Sequence, residues 1–145
     1  AILEALNKWA ITAHYMDAGI DTGEIIEKFE FSIDPDEETA LSLERKSQEF
    51  MLSLYKKTVR DVLNKGRLKS SPNNGGRYIS RKEMEQLKKI LPGDDINRKI
   101  RAFWFPPYVG AFIEIEGKKY TLVNQQVLMS LANLSETYLM SPERR

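Results

Sequence analysis

The sequence has no cysteine and only one histidine, His14. The first absence excludes a disulfide framework, a thiolate metal site and a cysteine nucleophile. It is compatible with a reducing compartment, and the cytoplasm is the location expected. The lone histidine rules out a His-rich metal site and weakens any self-contained Ser-His-Asp arrangement, so no metal is expected. Long apolar runs are missing too: no stretch approaches the roughly 18–20 residues that cross a bilayer. There is also no basic region followed by an apolar core of the kind that directs secretion, so a soluble protein without membrane contact is expected. The chain opens "AILEALNKWA" without an initiator methionine. That opening reads as the inside of a helix, as expected after processing or within a fragment of a longer polypeptide.

Charge of one sign is nearly absent in total, at +1 over 145 residues, but not locally. Asp21 to Thr39 holds eight acidic residues and one lysine, whereas Glu44 to Ser70 holds eight basic and three acidic residues. The basic stripe carries no interleaved surface aromatics for base stacking, which disfavours nucleic-acid binding. A helix with Asp36, Glu37 and Glu38 at its start and Lys65 near its end explains the asymmetry through the macrodipole. The 41% hydrophobic content is enough for one domain or two small ones.

Along the chain, "WAITAHYM" (9–16) reads as a buried strand, "DAGIDTG" (17–23) as a turn, and "EIIEKFEFSI" (24–33) as a second strand pairing with the first. Residues 34–66 read as the longest helix. Pro35 and the acidic cluster start it, Gly66 stops it, and an apolar stripe runs from Leu43 through Phe50, Leu54 and Val59 to Leu63. "KSSPNNGGRY" (69–78) is loop chemistry and marks a subdomain boundary. "SRKE" (80–83) opens a second helix to about Leu91, and 94–103 forms a third. The prolines of "FPPY" (105–108) break helix, residues 109–129 form a hairpin around Glu116-Gly117, and the closing "SPERR" is frayed.

The chemistry concentrates in "HYMDAGIDTGEII" (14–26). A carboxylate on a tight glycine turn at the end of a buried strand is well placed to act on something in a crevice. Asp17, Asp21 and Glu24 do not match the ligand spacing of a calcium loop, which leaves acid–base work or a plain acidic turn.

This stretch, "AITAHYMDAGIDTGEII", followed by the long helix and then "IRAFWFPPYVGAFIEIEGKKY", resembles the formyltransferase family. Its members transfer a formyl group from N10-formyltetrahydrofolate to an amine. They include methionyl-tRNA formyltransferases and enzymes acting on nucleotide-linked amino sugars. The resemblance implies an α/β fold: the end of a Rossmann-like catalytic domain over residues 1–66, then a small α+β C-terminal subdomain with a β-hairpin over 67–145. It implies Asp21 of the DTG turn as the catalytic carboxylate, with His14, Asp17, Gly19 and Gly23 as folate-side candidates. His14, on the strand before the turn, also reads as a packed, hydrogen-bonded residue. The family's asparagine and histidine of an upstream "HxSxLP"-type segment are not in this sequence, so the chain by itself is expected to be inactive.

An amine protonated near neutral pH needs a base before it attacks the formyl carbon. An ordinary aspartate is a weak base at pH 7, and partial burial would strengthen it. On the acceptor side the candidates are Arg101, Trp104 and Tyr108, a phosphate partner and two stacking rings on the rigid Pro-Pro turn, although the aromatics also read as core beneath the hairpin. The acceptor expected is an amino group on a nucleotide-linked sugar, with methionyl-tRNA as the alternative. A non-catalytic dimerisation or binding module, in contact as a homodimer through the hairpin and "FPPY", is the reading from another class.

Overall fold

In the computed structural model, residues 1–131 are described. Strands β1 (Lys8–His14) and β2 (Ile25–Ser32) form an antiparallel pair in which Trp9 faces Phe31 and Ile11 faces Phe29. Period-two alternation therefore puts one apolar face on the pair. That face meets helix α1 (Ala40–Lys65) through Phe50, whose ring centroid lies 4.7 Å from Phe31 and 5.0 Å from Phe29. The register slips between Ala13 and His14, so that His14 pairs with Ile25 rather than Ile26. A slip of this kind re-aims the side chains next to it.

Helix α1 begins later than its acidic cluster predicts. Asp34, Asp36 and Glu37 sit in a turn of their own, where the Asp34 carboxylate accepts from the Asp36 amide at 2.9 Å. The true cap is Thr39: its hydroxyl accepts from the Ser42 amide at 3.0 Å, and its own amide donates to the Ser42 hydroxyl at 2.9 Å. Gly66 ends the helix at φ 70°, where a side chain would be strained. The apolar stripe is only partly covered. Leu43 and Leu54 are buried, while Met51, Tyr55 and Leu63 are exposed.

Two further helices follow, α2 (Arg81–Lys88), capped by Ser80, and α3 (Ile96–Ala102), capped by Asp95. Strands β3 (Phe112–Ile115) and β4 (Lys118–Thr121) make the hairpin. Its two-residue turn has Glu116 at φ 50° and Gly117 at φ 74°, the positive pair that matches strand twist. The hairpin is shorter than the sequence suggests: Asn124 caps a helical segment from 125, holding the Val127 amide at 3.0 Å. Residues 2–5 are turns, not the end of a helix, and the chain enters β1 at Lys8. The closing "SPERR" lies outside the described residues.

The start of α1 joins two core clusters. Leu43 packs with Ile2 and Ile33, whereas Leu41 packs against Ile100, Trp104, Ala111 and Val127. Each buried aliphatic side chain contributes about 1.5–3 kcal/mol. Arg101 fastens the same junction, donating to the Pro35 carbonyl at 3.1 Å. The architecture is mixed α and β. Among the described residues both sheets are two-stranded and antiparallel, and the open parallel sheet of a Rossmann-like domain is not present. Among the described residues no helix is long and apolar enough to cross a membrane.

Candidate active site

The turn between β1 and β2 is held by its own side chains. The Asp17 carboxylate accepts from the Gly19 amide at 2.9 Å and from the Thr22 hydroxyl at 2.5 Å. The Thr22 hydrogen bond does most to hold the Asp17 carboxyl below its ordinary value of 3.8. The Gly19 amide and the nearby His14 act in the same direction. Asp21 occupies the left-handed region at φ 54°, a conformation that aspartate tolerates better than most residues. Its backbone carbonyl accepts from the Asn73 side-chain amide at 2.8 Å, across fifty-two positions of sequence.

Gly23 is required by proximity. A Cβ there would lie 1.6 Å from the Tyr15 carbonyl oxygen, a separation no side chain survives. At Gly19 a Cβ would meet the Thr22 hydroxyl at 2.2 Å. Tyr15 itself is pinned on three sides. Its amide donates to Glu24 at 2.9 Å, its hydroxyl accepts from the Leu68 amide at 2.8 Å, and Arg67 stacks 4.9 Å above its ring. The loop after α1 also pairs with β2 through Ile25 and Ser71. The "SSPNNGG" stretch, which the sequence suggests only as a boundary, thus braces the turn. Tyr15, Thr22 and Asn73 are the positioning residues sequence reasoning missed. An asparagine in a Gly-rich loop was the available signal, and nothing local pointed to its distant partner.

His14, Asp17, Gly19, Asp21 and Gly23 all line one small cavity of about 220 Å³. His14 presents its Nε2 3.6 Å from the Asp21 carboxylate. The burial expected to strengthen Asp21 as a base is not found: its side chain is 85% exposed, because the turn projects beyond the two-stranded sheet. Asp17 and Glu24 are committed elsewhere, Glu24 accepting from the Ser70 hydroxyl at 2.6 Å. Among the described residues no cluster of three or more His, Asp or Glu side chains has the arrangement of a metal site.

The acceptor-side candidates are divided. Arg101 is buried, its guanidinium spent on Pro35 and on Asp36 at 3.4 Å, and is not free to pair a phosphate. Trp104 is buried in the core against α3 and the hairpin, so its ring offers no face for stacking. Both expectations are corrected by packing: Arg101 is turned onto the segment before α1, and Trp104 is packed with Ile100, Ala111 and Val127. Tyr108 remains exposed, 5.9 Å from the Phe105 ring, on a cavity of about 530 Å³ bordered by Arg81, Met84 and Phe103.

No protein-family model matches the chain. It is similar to the methionyl-tRNA formyltransferase of Neisseria gonorrhoeae, with 27% identity over 132 residues, covering 88% of this chain and 42% of that protein. Among solved structures, a 4-N formyltransferase from Francisella tularensis superposes with a TM-score of 0.71 at 27% identity, over 85% of this chain and 52% of its own. The N-formyltransferase of Helicobacter canadensis, in complex with folinic acid and dTDP-3-aminofucose, gives 0.66 at 30% identity, over 86% and 48%. The chain spans about half the length of these relatives.

Proposed function

We propose, from the premise that this chain resembles formyltransferase-family proteins in sequence and fold over about half their length, that it is their later part and supplies the base for formyl transfer to an amine. The donor is N10-formyltetrahydrofolate and the acceptor the amino group of a nucleotide-linked sugar. Residues 1–66 are the end of the catalytic domain and 67–145 a smaller C-terminal subdomain, in a cytoplasmic enzyme. The observation that carries this reading is the open Asp21 carboxylate on a turn braced by Asp17, Thr22 and Asn73, beside the ring of His14.

The residues present fit the reacting end of a formyl donor. The cavity of about 220 Å³ is smaller than the roughly 300–1,000 Å³ that encloses a whole ligand, yet it presents the exposed Asp21 carboxylate. When bound, the donor supplies an electrophilic formyl carbon. Asp21 accepts the proton that the attacking amine must lose. The left-handed backbone at Asp21, tied to Asn73, fixes where that carboxylate stands. Asp17, His14 and the two glycines shape the donor side of the turn, and exposed Tyr108 is the acceptor-side residue left to stack a base.

The sugar acceptor is favoured by the solved structures, one of which holds dTDP-3-aminofucose at 30% identity. The name of the curated relative supports methionyl-tRNA as the second reading. Formylation assays on the intact protein, with the donor and either a panel of nucleotide-linked amino sugars or charged initiator tRNA, separate the two. Turnover of tRNA alone would reject the sugar reading. A homodimer contact through exposed Tyr108, Val109 and Ile115 belongs to the non-catalytic alternative. A dimer in sedimentation with no turnover of any acceptor would support it.

A further inference from the structure

The ring of His14 is oriented with more care than packing requires. Its Nδ1–H donates to the Tyr15 carbonyl at 2.9 Å. A carbonyl only accepts, so this bond places the proton on Nδ1 and leaves Nε2, in the neutral ring, with its lone pair toward Asp21 at 3.6 Å. Three independent features enforce the arrangement. The register slip between Ala13 and His14 falls at the residue that carries the ring. Tyr15 is pinned by Glu24 and Leu68. Gly23 lets the Tyr15 carbonyl approach where any Cβ would expel it.

We infer that His14 is a positioning residue that receives at Nε2 the proton Asp21 takes from the attacking amine. The inference rests on the formyl-transfer reading and deepens it. The amine nitrogen bonds to the formyl carbon as its N–H bond breaks toward Asp21, and the bond from the formyl carbon to the donor nitrogen breaks with its electron pair going to that nitrogen. The proton on Asp21 passes to Nε2 and then to solvent, which reaches the partly exposed His14 ring, and water returns one proton to the departing nitrogen. Imidazoles hold protons more firmly than carboxylates near neutral pH, so the hand-over frees the carboxylate for the next turnover.

The charged and titratable groups facing the ring are few. The turn contributes Asp17 and Asp21, whereas Arg67 of the loop after α1 is stacked on the neighbouring Tyr15 ring. Across the adjoining cavity β2 offers Ile26, and Tyr55 is the titratable residue α1 presents there.

The test compares the intact wild-type protein with His14→Asn, which can keep the Tyr15 bond but has no group at Nε2, and His14→Gln. Both variants are expected to lower kcat by about tenfold, below the full range of general-base catalysis because Asp21 remains. The KM for the acceptor should stay within about twofold, and the acid limb of the kcat profile should flatten. Wild-type kcat and pH profile in His14→Asn would overturn the inference. So would nitrogen-15 spectra of this single histidine showing the proton on Nε2 in the neutral ring, a readout independent of variant folding. Loss of transfer in Asp21→Asn with none in His14→Asn rejects the relay alone, whereas a wild-type protein that transfers no formyl group rejects both.

Discussion

Replacing Gly23 by alanine puts the close approach at the turn to the sharpest test. The added Cβ would stand 1.6 Å from the Tyr15 carbonyl oxygen and 2.6 Å from its carbon, and both are backbone atoms with no rotamer to swing away. Relief therefore requires β1 and the turn to separate, breaking the Tyr15 amide bond to Glu24 and disturbing the carbonyl that orients His14. Overpacking typically costs 1–3 kcal/mol, and with backbone on both sides the upper end, about 3 kcal/mol, applies. Gly76→Ala is the control, since nothing lies within 4 Å of its added carbon. That change is expected to be neutral, or to stabilise by up to about 1 kcal/mol through the unfolded chain. Urea unfolding of the intact protein measures both. A Gly23→Ala variant within about 0.5 kcal/mol of wild type would refute the close approach and the alignment of His14 built on it.

Other outcomes follow from the same geometry. The Asp17 carboxyl sits below its ordinary 3.8, so its contribution to turn order is fully present above that value. The order should be lost as pH falls below it through the depressed folded value, and the Thr22 amide and hydroxyl signals in a nuclear magnetic resonance titration report the change. Thr39→Ala removes the hydroxyl that caps α1 and should cost about 1 kcal/mol in denaturant unfolding. Tyr108→Ala, at a side chain exposed to solvent, should leave thermal stability unchanged and raise KM for a nucleotide-linked acceptor by about tenfold, the scale of one lost stacking contact.

The paired strands were readable because alternation along 24–33 leaves one answer for which face is apolar, and Glu116-Gly117 announced its own turn. The start of α1 was misplaced because proline and acids are generic opening signals. The Thr39–Ser42 box that wins uses serine where glutamate is the usual cue. Residues 1–8 have helix-forming composition, yet residues 2–5 are turns and Lys8 already pairs with Ser32 in β1. At the site, local spacing marked Asp21 and its glycines. The bracing by Asn73, Leu68 and Ser71 depends on a loop returning some fifty residues later, and no local pattern encodes that return. The burial of Arg101 and Trp104 was hidden for the same reason, since both are fixed by contact with the segment before α1 and with the helical turn at Val127.

Formyl transfer by the intact protein, wild type against Asp21→Asn, bears most directly on the role given to the turn. The Asp21 side chain is 85% exposed, so the substitution should leave the melting temperature and circular dichroism unchanged. The rate should fall at least about a hundredfold, the scale of a lost general base. A folded variant that transfers formyl at the wild-type rate would contradict the account.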